Sequence, residues 1–322
     1  MRTNKFLAVG LLATMILGSC SNNEDPANTP GGADEIKLDA GIGVQTRGEG
    51  VISPGYENDL KVAFARLEAG ASTWTGTDLK AVRIGGSGQT PIAFETSQIY
   101  NGTTATTLLG YYPRVTENIT SDQNKVTVPY TITGDMDIMA TEVLTGTKLD
   151  QIKTSTFSHL LGQLQFRCVG SDAAIDAWDG IGIKVKTVPT TLAVSLHKST
   201  GASLKANGTP TGDLSVFSCP TVPVSPDEQN PATGYVMLCP IEKLGTQAAP
   251  ITLEVTGNYR GTPVSPAKTI TITNIQGGVL AGISNLITLI FTVDGDISAS
   301  ATADIAPWKP GNAGSSVVTP NP

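Results

Sequence analysis

The chain has 322 residues, a formal net charge of -7 and 15% charged residues. Its 21 lysines and arginines form no cluster, which argues against a nucleic-acid or anionic-membrane surface, since both need a basic patch. A composition rich in Thr, Gly, Val and Ile, with no sustained apolar spacing at the helical period, reads as all-β.

At the start, Arg2 and Lys5 lead into residues 6–17, which are apolar or small throughout. The run is shorter than the roughly 20 residues a bilayer span takes, and it ends in Leu17-Gly18-Ser19-Cys20, the order of a bacterial lipobox. Residues 1–19 therefore read as a signal peptide and Cys20 as the lipidated first residue of the mature chain. Residues 20–34, with Pro and Gly following Glu24-Asp25, read as a tether. The competing reading is an ordinary secretory signal with an incidental cysteine. Subtracting 19 residues from 322 leaves 303, enough for two domains of about 100 to 200 residues each. The expected division is 35–153 and 154–322.

Residues 36–44 run Ile-Lys-Leu-Asp-Ala-Gly-Ile-Gly-Val. Alternation places Ile36, Leu38, Ala40, Ile42 and Val44 on one face, with Lys37, Asp39 and the glycines on the other, the pattern of a half-buried strand. Residues 45–50 include Gly48, Gly50 and polar neighbours and suggest an exposed loop carrying Arg47. Arg47-Gly48 is a good site for a trypsin-like protease; an isolated loop arginine is otherwise an ordinary solvated side chain. The expectation is that the first strand, 36–47, can be cut away and replaced by another subunit's strand. At about 3.4 Å per residue such a strand covers a groove roughly 30 Å long. Its loss would expose a sheet edge and several kcal/mol of apolar burial, a strong site for strand addition.

Further strands are expected at 60–64, 92–94, 108–112, 126–132 and 136–140, with turns around short pieces such as 81–84 filling 68–90. Pro129 suggests an edge strand or a bulge. After a polar, turn-rich stretch at 142–153, the second half opens on a strand at 157–166. There Leu164, Phe166 and Cys168 point in, and Gln163, Gln165 and Arg167 point out. A short helix with Ser171 as its N-cap fits 171–179. Strands follow at 181–188, 192–196, 235–239, 251–256, 269–275, 286–293 and 297–305. Many short strands at such spacing suggest sandwiches joined by hairpins and Greek-key links. Beyond Trp308 the chain has a glycine-rich hinge at Gly311 and Gly314, then Val317-Val318, either a frayed tail or a short donor strand.

Residues that carry chemistry are few. His159 and His197 are the only histidines, and neither sits in a triad or metal constellation; His159 reads as a strand residue with a structural hydrogen bond. Asp34-Glu35 and Asp294-Gly295-Asp296 offer oxygen ligands for Ca²⁺ but read better as solvated turns. Gly85-Gly86-Ser87-Gly88 lacks the lysine and helix of a phosphate loop and reads as a hairpin turn. Trp74, Trp178 and Trp308 are too scattered to define a sugar platform. Cys168, Cys219 and Cys239 have no metal-binding spacing; Cys168 reads as a buried apolar residue, and a bridge between Cys219 and Cys239 stays open. No enzyme, cofactor or metal is expected.

Taken together, several stretches resemble the fimbrillin family of Bacteroidales pilus subunits. They are the lipobox, the Thr46-Arg47 loop, Tyr111-Tyr112-Pro113, Asp137-Ile138-Met139-Ala140, Phe157-x-His159-x-Leu161-x-x-Leu164-x-Phe166 and Ile305-x-x-Trp308. The acidic pair after Cys20 is similar to the surface-export signal of Bacteroidetes lipoproteins. The resemblance implies two transthyretin-like β-sandwich domains and export as a lipoprotein to the outer-membrane surface. It also implies removal of the first strand by an arginine-specific protease acting in trans. Its implied partners are other pilus subunits, whose C-terminal donor strands fill the vacated groove, and host or bacterial surface ligands for adhesion. From another class, the alternative is a surface glycan-binding β-sandwich lipoprotein, which exposed aromatics clustered on one face would favour.

Overall fold

A computed structural model describes residues 34–43, 52–208, 211–225 and 234–305. Cys20, Val44, Arg47, Gly48, Trp308, Val317 and Val318 lie outside the described residues. What is described is almost entirely β-structure, as the composition suggests.

The first ten strands are β1 (Asp39–Ile42), β2 (Leu60–Glu68), β3 (Gly76–Arg83), β4 (Thr90–Phe94), β5 (Thr106–Tyr112), β6 (Thr120–Ser121), β7 (Lys125–Thr131), β8 (Met139–Ala140), β9 (Leu144–Gly146) and β10 (Thr154–His159). Pairing runs β2-β3-β4-β1-β10-β8-β5, and β5 pairs back to β2, so these strands form a closed ring with β9 attached to β5. β1 enters this ring antiparallel to β4 and parallel to β10. Closure removes sheet edges, which is how a small barrel avoids exposed ladder groups.

Inside the ring lies one apolar cluster that includes Ile36, Leu38, Ala40, Ile42, Val62, Phe64, Leu108, Met139 and Phe157. β2 shows why its alternation is hard to read. Leu60, Val62 and Phe64 face this interior, while Ala63 and Ala65 are equally buried in a second cluster with Val126 and Val128 of β7. A strand buried on both faces loses its apolar-polar period. The Phe64 and Phe157 rings meet edge on at 6.1 Å between centroids, and glycine at 110 lets them do so.

The remaining elements are β11 (Gly162–Gly170), α1 (Asp172–Ile175), β12 (Trp178–Pro189), β13 (Thr191–His197), β14 (Gly201–Ala206), β15 (Thr211–Ser215), β16 (Gly234–Leu238), β17 (Thr246–Tyr259), β18 (Thr262–Pro263), β19 (Lys268–Asn274), β20 (Ser284–Phe291) and β21 (Ile297–Ile305). They build sheets β16-β11-β20-β21 and β15-β12-β17-β18, with β19 beside β17, and the sheet β14-β13-β7-β6. β7 thus leaves the first half of the chain to pair with β13, and β10 pairs within the ring although it follows residue 153. Beside β7, β6 covers only Val126 and Thr127, so Pro129 has a paired strand on one side only, the place where a missing N–H is tolerated.

Several local expectations need correction. The strand expected at 157–166 is two strands, because Leu160 N–H donates to Ile138 O at 2.8 Å and turns the chain between them. Gln163 and Gln165 point inward, not outward: β11 is flanked by β16 and β20 and covered on both faces, so its polar residues pair with each other. Gln165 Nε2 donates to Ser284 Oγ at 2.7 Å, and Ser284 Oγ donates to Gln163 Oε1 at 2.7 Å. The helix spans 172–175 and not 171–179, and the Ser171 side chain makes no cap bond. Trp178 has already joined β12, where its ring packs on Phe291 and Tyr259 and Nε1 donates to Thr292 O at 2.9 Å. The stretches read as turns at 68–90 and 142–153 hold β3 and β9, and the strand at 136–140 shrinks to β8.

A Cβ at residue 110 would lie 2.8 Å from Phe64, 2.9 Å from Thr141 and 3.0 Å from Phe157. Gly110→Ala should therefore destabilise the chain by about 1 to 3 kcal/mol through overpacking of the ring interior, read as a lowered urea midpoint with an unchanged slope.

Candidate functional site

The segment from Asp34 to Gly43 fills a slot between two walls. Ile36, Leu38, Ala40 and Ile42 are each at most 5% exposed, whereas Lys37 and Asp39 are exposed. On the β10 wall, Asp39 N–H donates to Lys153 O at 2.9 Å and Gly43 N–H to Phe157 O at 2.7 Å. On the opposite wall, Ile36 N–H donates to Gln98 O at 2.7 Å, Ile92 N–H to Leu38 O at 2.9 Å and Tyr100 N–H to Asp34 O at 2.7 Å. Among the described residues regular pairing begins at Asp39 and not at Ile36 as expected, because β10 begins at Thr154, opposite Asp39, and on the β4 side the register covers only Asp39 and Ala40.

Where the main-chain ladders stop, buried side chains take over. Arg66 fixes the far wall at its entrance: Nη2 donates to Ile99 O at 2.6 Å and Nη1 to Gln98 Oε1 at 3.0 Å, while Nε is held by Glu68 at 2.7 Å. Arg83, fully buried at the end of β3, donates from Nε to Ala40 O at 2.9 Å. Its other nitrogens donate to Ile84 O at 3.3 Å and to Gly86 O and Gly88 O, both at 3.0 Å. Among the described residues no carboxylate pairs with Arg83, and burial pulls its guanidinium below the ordinary value. The glycine-rich stretch 85–88 is a turn between β3 and β4, as read from the sequence, and its carbonyls wrap this cation. A Cβ at Gly85 would fall 2.0 Å from Glu57 O, so only glycine allows the loop to close there.

On the other side, His159 ends β10. Its Nδ1 lies 2.7 Å from Asp137 Oδ2 and its Nε2 3.1 Å from Gly43 O, with both side chains at most 3% exposed. A carbonyl only accepts, so Nε2 carries a proton and donates to Gly43. The structural hydrogen bond expected of His159 is present, and its acceptor belongs to the first strand. Asp137 and His159 both lie in stretches that carry the family resemblance.

Beside residues 35–39, where the segment stands off from β4, is a depression of about 600 Å³ lined by Pro91, Ala93, Phe94 and Lys153 among others. Among the described residues no aromatic side chain is exposed: Trp74 is half-buried and Trp178 buried. Cys168, Cys219 and Cys239 are free thiols, and burial pushes Cys219 and Cys239 up to about 11, so they remain protonated at neutral pH and are poor nucleophiles. Asp34 pairs with Lys148 at 2.5 Å and Asp296 with Lys268 at 2.7 Å, and among the described residues no group of three or more metal-ligating side chains occurs. No described helix is long and apolar enough to cross a membrane.

No protein-family model matches the chain, and no curated protein matches it by sequence. Solved structures do. A candidate cell adhesion protein from Bacteroides uniformis superposes with a TM-score of 0.56 at 15% identity, over 85% of this chain and 98% of that one. A second, from Bacteroides ovatus, gives 0.52 at 17% identity, over 86% and 99%. At these identities the likeness is one of fold.

Leu38 is 4% exposed inside the ring, whereas Lys37 beside it points to solvent. Leu38→Ala is expected to cost about 2 to 5 kcal/mol. Lys37→Ala is expected to stay within about 0.5 kcal/mol. Urea unfolding of the two variants in parallel checks both.

Proposed function

We propose that this chain is a non-enzymatic structural subunit of a cell-surface filament of the pilus type, with a role in adhesion, and that its first strand is a plug to be exchanged. On this reading the chain is exported through residues 1–19 and anchored in the outer membrane by lipid on Cys20. An arginine-specific protease then cuts after Arg47. The strand carrying Ile36, Leu38, Ala40, Ile42 and Val44 leaves, and a strand from a neighbouring subunit takes its place.

The observation that supports this most is the position of β1, which closes a ring between β4 and β10 and supplies apolar side chains to its interior. Without that strand, two sheet edges and an apolar interior would face water together, and an added strand restores both in one step. Three large aliphatic side chains, Ile36, Leu38 and Ile42, at about 1.5 to 3 kcal/mol each, hold the plug in place, and an incoming strand has to supply burial of the same order. The fold shared with the two candidate adhesion proteins supports the surface role.

The C-terminal residues remain the proposed donor. In a strand, neighbouring side chains alternate, so only one of Val317 and Val318 can face the slot, and residues before them would have to add apolar contacts. The reading includes two transthyretin-like sandwich units divided near residue 153; across that division β10 pairs within the first ring, β7 pairs with β13, and the larger apolar cluster takes side chains from both halves. A glycan platform draws no support from the described aromatics, none of which is exposed.

The chain lacking residues 1–20, treated briefly with an arginine-specific protease, should be cut early and singly after Arg47 and then form a ladder of oligomers by size separation. Arg47→Ala should stay a folded monomer. A cut without oligomers would confine the chain to a terminal or capped subunit, and no preferred cut at Arg47 would overturn the proposal.

A further inference from the structure

The two side-chain contacts at the end of the slot point to a specific task. Residues 39, 41 and 43 direct their main-chain groups to the β10 wall, and residues 36, 38 and 40 direct theirs to the β4 wall, as the bonds from Asp39, Gly43, Leu38 and Ile36 show. β4 begins at Thr90, opposite Ala40, so it offers nothing further along. There Arg83 Nε supplies the donor to Ala40 O. β10 ends at His159, and there its Nε2 supplies the donor to Gly43 O. The two donors thus stand on opposite walls, three residues apart along the strand.

Both donors are held from behind. Asp137 orients the His159 ring, and the carbonyls of Ile84, Gly86 and Gly88 hold the other guanidinium nitrogens of Arg83. Neither side chain therefore has to be ordered when a strand arrives, and each leaves a buried donor without its acceptor when the strand departs. What they recognise is a carbonyl, which every residue has. The contacts make no demand on side-chain identity and a strict one on position.

We propose that Arg83 and His159 are the register-setting residues of the slot, gripping two main-chain carbonyls three residues apart in whatever extended segment occupies it, this chain's own or that of a second copy. The inference rests on the reading that the slot changes occupants. It specifies the occupant further: the residue gripped by Arg83 must be small, as the fully buried Ala40 is. The residue gripped by His159 should be small, because a Cβ at Gly43 would meet Phe157 O at 3.2 Å and Ser158 Cα at 3.4 Å, close contacts that the wall would have to relieve. A slip of two residues along the strand keeps the apolar alternation and would move Ile42 or Leu38 into the place of Ala40.

The test uses the full chain with an engineered protease site replacing residues 45–50, so that it does not depend on Arg47 being the natural cut. After cutting, the probe is a labelled, C-terminally amidated peptide of residues 34–44, compared with the same peptide carrying an ester in place of the Ala40–Gly41 amide. The ester weakens the Ala40 carbonyl as an acceptor and removes the Gly41 N–H. Against the wild-type slot it should bind about tenfold more weakly than the amide. Against Arg83→Met the amide peptide should itself lose about tenfold, and the ester penalty should shrink to the part due to the N–H. His159→Phe should weaken both peptides, and His159→Gln, which can present a donor at the same place, should recover most of the loss. Where Arg83→Met does not fold, the same comparison is made at the other grip, with an ester in place of the Gly43–Val44 amide read against the wild-type slot and His159→Phe, in which the penalty should shrink.

An ester penalty of equal size in wild type and the Arg83 variant would overturn the proposal. If no peptide enters any cut chain, strand exchange itself fails. Hydrogen exchange on the uncut chain then decides the clamp alone: about tenfold faster exchange of residues 39–43 in the Arg83 and His159→Phe variants supports it, and unchanged exchange overturns it.

Discussion

β1 is four residues long, yet the ring is closed only because it bonds to β4 on one side and β10 on the other. A curled sheet with a gap has two open edges facing each other across an apolar interior, and water satisfies the edges only by wetting that interior. The closing strand settles both demands at once. The packing of Phe157 on Phe64, the burial of Met139 and the inward face of β2 all presuppose an interior that β1 keeps dry.

The slot divides its labour between apolar and polar contacts. Ile36, Leu38 and Ile42 provide most of the burial and accept replacements of similar size, because apolar contact is weakly directional. Arg83 and His159 provide little area but fixed direction, since both are held in place by groups that do not belong to the strand. A buried guanidinium answered only by carbonyls is costly to leave unpaired, which favours an occupied slot over an empty one whatever the occupant's sequence.

Much of this was legible in the sequence where a strand has one dry and one wet face. The alternation of 36–40 carried through to burial because Lys37 and Asp39 reach solvent while their neighbours line the ring; Gly41, expected on the solvent face, is buried beneath Gln89. It failed where strands are covered twice: Gln163 and Gln165 look solvent-facing by period, yet they lie between β16 and β20 and pair with Ser284. The glycines at 85–88 announced a turn, but nothing in their spacing says that their carbonyls converge on the arginine just before them. His159 was readable as a structural residue; that its acceptor is Gly43, far earlier in the chain, is a product of ring closure and has no local signal. Arg47, Val317 and Val318 lie outside the described residues, so the cut and the donor stay with the proposal.

The parallel pairing of β1 with β10 also orders events in time. Asp39 pairs with Thr154, 115 positions later by subtraction, whereas β2, β3 and β4 follow one another as neighbouring antiparallel strands. Contacts between sequence neighbours form quickly, and those that close long loops form late. A chain emerging amino end first would present β1 long before its second neighbour emerges. The strand that comes earliest in the chain is therefore seated last, and during that interval the emerging chain carries a half-built berth open to any other extended segment nearby.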